Sequence, residues 1–180
     1  MVYGKDYSIA LDISLSMGEK YSDMIPSKLE ACKEAIVILA SRVLQSGSRI
    51  AITLFHEKPI PLLPLTGDYR LVVRAISDVN FTGEGSALGD GIVEAIKILR
   101  GSRRDKIVIA LTDGGVTEGI PVKASALYAK YSGVKLAIIV LSRDIRSEIL
   151  DEFKQVSDSG AEILFVESKQ KLISAIMKMV

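Results

Sequence analysis

The sequence predicts an α/β protein built on a doubly wound, Rossmann-like open sheet. Short runs rich in Ile, Val and Leu alternate along the chain with segments of helical periodicity, which is typical of this architecture. Several of these runs are almost continuously apolar, as expected of parallel strands covered by helices on both faces. We therefore expect a mostly parallel sheet of about six strands, one of them an antiparallel edge strand, with helices on both faces.

Five short runs rich in Ile, Val and Leu are predicted to be strands. They are residues 7–13, 48–55, 105–112, 134–141 and 161–166. The segment 56–65, HEKPIPLLPL, follows one of these strands directly and contains three prolines. Because proline cannot donate a ladder hydrogen bond, this segment is predicted to be the antiparallel edge strand of a hairpin.

Six segments between these strands have the spacing of helices. They are residues 27–45, 68–78, 87–100, 121–132, 145–157 and 168–179. The first begins with SKLE, the pattern of a capping box. Pro121 suits the first turn of a helix, and Gly47, Gly101 and Gly133 suit helix ends. No internal repeat, linker or low-complexity segment interrupts the pattern, so residues 1–180 are predicted to form a single domain.

The charge balance bears on the class of partner. The 180 residues include 23 basic and 22 acidic side chains, for a net charge of +1. Such a chain has no overall field that attracts nucleic acid or an anionic membrane surface. We therefore expect neither nucleic acid nor a membrane as the partner.

The composition also suggests a compartment and a source. Strand-like sequence begins within a few residues of Met1, and no apolar run approaches the roughly 20 residues of a membrane span. The single cysteine, Cys32, cannot form an internal disulfide. We expect a cytoplasmic location. Asparagine and glutamine are scarce while isoleucine, lysine and glutamate are plentiful, which favours a thermophilic source.

Small polar side chains follow the first predicted strand. In SIALDISLSMG, Asp12, Ser14 and Ser16 alternate, so all three point to one side if the segment is extended. Asp113 ends a second strand in ALTDGG. Ligands of open α/β sheets bind outside the carboxyl ends of the strands, where the strand order reverses. If these two strands flank that point, both carboxylates project into one crevice.

A third segment brings further polar groups. Residues 82–92, TGEGSALGDGI, read as a glycine-rich turn that opens a helix, and Ser86 is predicted to lie at the helix N-terminus. The proposed donor set has only two carboxylates, which suits Mg²⁺ or Mn²⁺. It consists of Asp12, Ser14, Ser16, Ser86 and Asp113. The single histidine and single cysteine cannot build a zinc site. Two carboxylates leave the coordination shell of a divalent ion incomplete, so an acidic group from another molecule could complete it.

These three motifs resemble the von Willebrand factor type A domain. DISLS, GEGSALGDGI and IVIALTDGG are similar, in order, to that family's Asp-x-Ser-x-Ser motif, its downstream threonine and the aspartate that ends its fourth strand. In the family these residues form the metal ion-dependent adhesion site. The resemblance implies that Ser14 and Ser16 bind the metal through their hydroxyls, while Asp12 and Asp113 act mainly through waters or hydrogen bonds.

The family's threonine position is filled differently here. Ser86 stands in that context and keeps the hydroxyl, while Thr82, four residues earlier, is an alternative. Glu84 in the same loop is an extra carboxylate. It would lie in the outer shell of the metal or in the place of a partner's acidic group.

Three functions remain open from the sequence. The first is a non-enzymatic protein–protein interaction module in which Mg²⁺ binds an Asp or Glu of a partner, since no nucleophile–base pair is evident. The resemblance extends to prokaryotic proteins that work beside MoxR-type AAA+ ATPases. The second is a metal-free scaffold of the same family in a multiprotein complex. The third is a haloacid dehalogenase-like phosphatase, which needs a second aspartate where this sequence has Ser14.

Overall fold

The computed structural model of the chain describes residues 4–142 and 145–180. These residues form one six-stranded sheet with the strand order β3-β2-β1-β4-β5-β6. The strands are β1 (Asp6–Asp12), β2 (Arg49–Phe55), β3 (Pro59–Thr66), β4 (Lys106–Thr112), β5 (Val134–Val140) and β6 (Glu162–Phe165). All neighbouring pairs are parallel except β2 and β3. The predicted fold class is confirmed, including the proline-rich antiparallel edge strand. Residues 1–3 and 143–144 of the predicted single domain lie outside the described residues.

Six α-helices lie in the described part of the chain, five of them between strands and the last after β6. They are α1 (Lys28–Val43), α2 (Tyr69–Ser77), α3 (Leu88–Ile98), α4 (Val122–Tyr131), α5 (Ser147–Asp158) and α6 (Lys169–Met177). The capping box predicted for α1 is half formed: the Ser27 hydroxyl accepts a hydrogen bond from the backbone N–H of Glu30 at 3.2 Å. Within residues 4–142 and 145–180, no helix is long and apolar enough to cross a membrane.

The sheet separates two hydrophobic cores. Alternate side chains of β1 point to opposite faces, so Ile9 and Leu11 pack with α1, α2 and α6 on one side. Ala10 faces the other side, where α3, α4 and α5 supply the packing residues. With both faces covered, the central strands are held rigidly. Their carboxyl ends therefore present the following loops from a fixed edge.

At the amino end of β1, a buried carboxylate bonds side chains of neighbouring segments. Asp6, at the start of β1, is fully buried and accepts hydrogen bonds from Arg49 Nε at 2.9 Å and Arg49 Nη2 at 2.7 Å. The Ser102 hydroxyl donates a third bond at 2.6 Å. Burial by itself raises the pKa of Asp6. The hydrogen bonds from Arg49 and Ser102, with the charges of Arg49 and Arg104, outweigh it, so the pKa lies below its ordinary value.

The Asp6 network predicts an acid-dependent contribution to stability. A carboxyl whose pKa is lower in the folded state stabilises the protein above its unfolded-state pKa of about 4, and this contribution is lost as pH falls through the folded-state pKa. We expect Asp6→Asn to unfold at lower temperature at pH 7, by the equivalent of about 1–3 kcal/mol. The difference from the wild type should shrink below about pH 4. Melting curves at several pH values test this, and a pH-independent difference would contradict it.

Candidate metal centre

The candidate site lies where the strand order reverses. From β1 the chain moves to β2 on one side, and it later returns to place β4 on the other side of β1. Asp12 is the last residue of β1, and Asp113 directly follows β4. The two carboxylates therefore stand at the carboxyl edge of adjacent parallel strands, as the topology predicted.

Asp12 is the hub of this site. Its side chain is fully buried, and its Oδ1 accepts a hydrogen bond from the backbone N–H of Ser14 at 2.9 Å. Its Oδ2 accepts from the hydroxyls of Ser86 at 3.0 Å and Thr112 at 2.7 Å. One carboxylate thus joins the loop after β1, the segment before α3 and the end of β4.

The surroundings of Asp12 disfavour its negative charge. Burial raises its pKa, and the nearby charge of Asp113 raises it further, against the lowering effect of hydrogen bonds from Ser14 and Thr112. The same negative potential reaches the buried thiol of Cys32 on α1. Its pKa is raised mainly by burial and additionally by Asp12 and Asp113. The crevice is therefore short of positive charge near Asp12.

The two serines after β1 are brought together by a tight turn and not by an extended strand. The strand ends at Asp12, and Leu15–Gly18 form a 3₁₀ turn in which the Met17 N–H donates to the Ser14 carbonyl at 2.9 Å. The condition under which Asp12, Ser14 and Ser16 would point to one side, an extended segment, is therefore not met. Since a 3₁₀ turn has three residues per turn, it returns Ser16 toward Ser14, and their hydroxyl oxygens lie 3.2 Å apart.

The segment before α3 supplies the third hydroxyl. Ser86 is buried with its hydroxyl on Asp12, whereas Thr82 and Glu84 are exposed. Ser86 precedes Ala87, the capping residue of α3, so it lies just outside the helix. Its backbone is fixed by Thr117, whose hydroxyl accepts from the Ser86 N–H at 2.9 Å. Of the two predicted candidates for the family's threonine position, Ser86 is the one in contact with Asp12.

Asp113 is held by a lysine. Lys28 Nζ lies 2.7 Å from Asp113 Oδ2, and the two side chains are only 9% and 7% exposed. Lys28 is the first residue of α1, a position where the helix dipole disfavours a cation. The ion pair with Asp113 offsets the unfavourable interaction between the Lys28 charge and the helix dipole. Both residues line a cleft of about 230 Å³ beside Ser16 and Gly114.

The chemistry of the donor set fits a hard divalent cation. Among the described residues, no group of three or more His, Cys, Asp or Glu side chains is placed to hold a metal ion. A cation here would depend on hydroxyls, with Ser14, Ser16 and Ser86 as the donors and Asp12 and Asp113 as the charges. Oxygen donors with one or two carboxylates are what Mg²⁺ uses in proteins. The residues therefore fit Mg²⁺ or Mn²⁺, with one of the two carboxylates already balanced by Lys28.

Two residues of this site were missed from the sequence. Thr112 was read only as the end of a strand, although the pairing of Leu11 with Leu111 puts it beside Asp12. Lys28 was read only as part of the capping box that Ser27 begins. A cation in the first turn of a helix was the available signal, since the helix dipole makes that position unfavourable without a partner.

Comparison with known proteins gives the family. A family model described as the von Willebrand factor type A domain matches residues 8–116. That range includes Asp12, Ser14, Ser16, Ser86 and Asp113. A comparison with curated protein sequences gave no significant match.

Solved structures share the whole fold. An aerotolerance-related membrane protein from Bacteroides fragilis NCTC 9343, carrying multiple mutations to serines, is 23% identical with a TM-score of 0.79, covering 97% of this chain and 98% of its own. The vWF domain of the type V pili tip protein Mfa5 from Porphyromonas gingivalis is 14% identical with a TM-score of 0.81, covering 99% and 94%. The SpRpn10 VWA domain is 20% identical with a TM-score of 0.74, covering 98% and 95%. At these identities the likeness establishes the fold alone.

The buried charge of Asp12 predicts that the site is not optimised for stability. Asparagine has the same shape, and its amide can accept from Ser14 N–H and donate to the Ser86 and Thr112 hydroxyls. Since burial of the carboxylate is the main influence on its pKa, Asp12→Asn should melt at the same temperature as the wild type or higher. Thermal unfolding at pH 7 measures this. A melting temperature lower by more than about 5 °C would show that the charge itself supports the fold.

Proposed function

The chain belongs to the von Willebrand factor type A domain family, and from that premise we propose that it is a metal-dependent protein-interaction module. Domains of this family are typically adhesion and interaction modules and not enzymes. The proposed module holds Mg²⁺ or Mn²⁺ at the candidate site and binds an acidic side chain of a partner through that ion. The observation that carries the proposal is a connected set of oxygen groups: the Ser86 hydroxyl bonds Asp12, the Ser14 and Ser16 hydroxyls are adjacent, and Ser16 lines the same cleft as Asp113.

The hydrogen bonds orient the proposed donors. Because the Ser86 hydroxyl donates its hydrogen to Asp12, its lone pairs are left for a cation. The hydroxyl oxygens of Ser14 and Ser16 are already adjacent at 3.2 Å. The Ser14 backbone is fixed by its N–H bond to Asp12. When bound, the ion would supply the positive charge that attracts a partner carboxylate.

The charge balance favours an acidic partner group. Asp12, Asp113 and Lys28 together carry a net charge of −1 when both carboxyls are ionised. A divalent cation would change this to +1. A carboxylate from a partner would then neutralise the site in a partly buried crevice, where such contacts are stronger than in bulk water.

The rim of the crevice offers apolar contacts to a partner. Leu15, Phe81 and Ile120 are large apolar side chains that are 48%, 46% and 36% exposed. They lie on or beside the loops 17–26, 82–86 and 114–120 that surround the candidate site. Protein interfaces commonly combine such apolar contacts with a few charged groups. A MoxR-type AAA+ ATPase is the class of partner that the family resemblance suggests.

A metal-free scaffold is the second candidate function. The ion pair between Lys28 and Asp113 favours it, because a protein cation already balances one carboxylate of the site. In that case the partner would dock on the same rim without a bridging ion. The phosphatase alternative gains no such support, since Ser14 occupies the position where that chemistry requires a second aspartate.

A metal titration coupled to partner capture tests the proposal. EDTA-treated wild-type protein should bind Mg²⁺ and Mn²⁺ with one-to-one stoichiometry by calorimetry. The Ser14→Ala, Ser16→Ala double variant should bind about tenfold more weakly or worse, because it lacks two direct donors. Ser41→Ala is the matched control, since Ser41 is exposed on α1 and its hydroxyl bonds only the Ile38 carbonyl in its own helix.

Immobilised protein then separates the two candidate functions. Partners retained in Mg²⁺, released by EDTA and lost from the double variant would support the metal-dependent module. Retention that survives both EDTA and the double substitution would instead favour the metal-free scaffold.

A further inference from the structure

The Lys28–Asp113 ion pair places a protein cation inside the proposed metal site. Lys28 Nζ lies 2.7 Å from Asp113 Oδ2, and both side chains are more than nine-tenths buried. We propose that the Lys28 ammonium is a built-in competitor of the divalent cation, so that loading of the site requires this ion pair to open. The inference rests on the proposed function and concerns the regulation of the same site.

The ion pair is held in place from both ends. The Lys28 backbone N–H donates to the Glu19 carbonyl at 2.9 Å, and the residue begins α1, so its backbone is fixed. On the other side, the second oxygen of Asp113 accepts from the Gly115 N–H at 3.3 Å. Since the pair is largely shielded from water, solvent and salt screen it less than a surface pair. It is therefore a persistent competitor for the carboxylate.

Competition follows from the electrostatics of the crevice. A cation beside Ser16 would interact with the Asp113 carboxylate directly or through a water, and Lys28 already occupies one oxygen of that carboxylate; all three residues line the same cleft. An ammonium and a divalent ion that share one carboxylate also repel each other. The wild-type site should consequently bind metal weakly until a further negative charge arrives. A partner carboxylate would supply that charge, which couples metal binding to partner binding.

Removal of the lysine charge tests this directly. EDTA-treated Lys28→Gln should bind Mg²⁺ and Mn²⁺ about tenfold more tightly than the wild type by calorimetry, because one buried charge-assisted bond no longer competes. Lys28→Arg keeps the charge and should bind no more tightly than the wild type. The addition of Mg²⁺ should also raise the melting temperature of Lys28→Gln more than that of the wild type.

The matched control is Lys33→Gln. Lys33 lies on the same helix, is 10% exposed and pairs with Glu30 at 2.8 Å and the Ser77 carbonyl. This variant loses the same charge from α1 without touching Asp113, so its metal affinity should equal that of the wild type.

The outcomes separate this inference from the proposed function. Tighter binding by Lys28→Gln alone supports the inference. Metal binding by the wild type that Lys28→Gln leaves unchanged or weakens would overturn the inference and leave the proposed function standing. Equal tightening in Lys33→Gln or Lys28→Arg would assign the effect to general charge or to packing and would also overturn it. If no folded variant binds metal, both the inference and the metal-dependent function fail.

Discussion

The organisation of the candidate site depends on the burial of one carboxylate at the end of the central strand. Asp12 accepts hydrogen bonds from the Ser14 backbone and from the Ser86 and Thr112 hydroxyls. These groups come from three separate segments of the chain. Backbone hydrogen bonds from the Thr82 N–H to the Ile13 carbonyl and from the Leu15 N–H to the Gly83 carbonyl also join the loop after β1 to the segment before α3, and Asp12 adds the end of β4 to this contact. The arrangement of the hydroxyls therefore follows from the position of Asp12.

A second aspartate on the same strand shows what makes Asp12 unusual. Asp6 and Asp12 begin and end β1, and both are fully buried. The pKa of Asp6 is lowered because the charge and hydrogen bonds of Arg49 outweigh its burial. The pKa of Asp12 is raised because its burial is opposed only by neutral donors, with Asp113 nearby. One end of the strand is thus fully neutralised. At the other end, the negative charge of Asp12 has no cation beside it among the described residues. A metal ion would balance that charge, and this is the physical basis of the proposed function.

Much of the architecture could be predicted because its signals are local. Continuous apolar runs marked the buried strands, and the prolines of β3 marked the edge strand. Asp12 and Asp113 could be placed together because each follows a predicted strand. The 3₁₀ turn that brings Ser16 back to Ser14 could not be predicted, because it depends on contacts between this loop and neighbouring segments. Lys28 was missed because it was interpreted only as part of the SKLE capping pattern. Its partner Asp113 lies 85 positions away in the sequence, so no local signal connects the two residues. The metal, the cytoplasmic location and the thermophilic source stay predictions.

The central claim is that this crevice binds a divalent cation, and a crystal grown or soaked with Mn²⁺ tests it most directly. Anomalous diffraction near the manganese absorption edge would locate the ion without reference to any assay. The account predicts one strong peak within bonding distance of the Ser14 and Ser16 hydroxyls, at about 2.0–2.2 Å, and a clearly weaker peak in the Ser14→Ala, Ser16→Ala variant soaked at the same subsaturating Mn²⁺ concentration. A crevice without a peak at saturating Mn²⁺, or a peak only at surface carboxylates elsewhere, would contradict the claim.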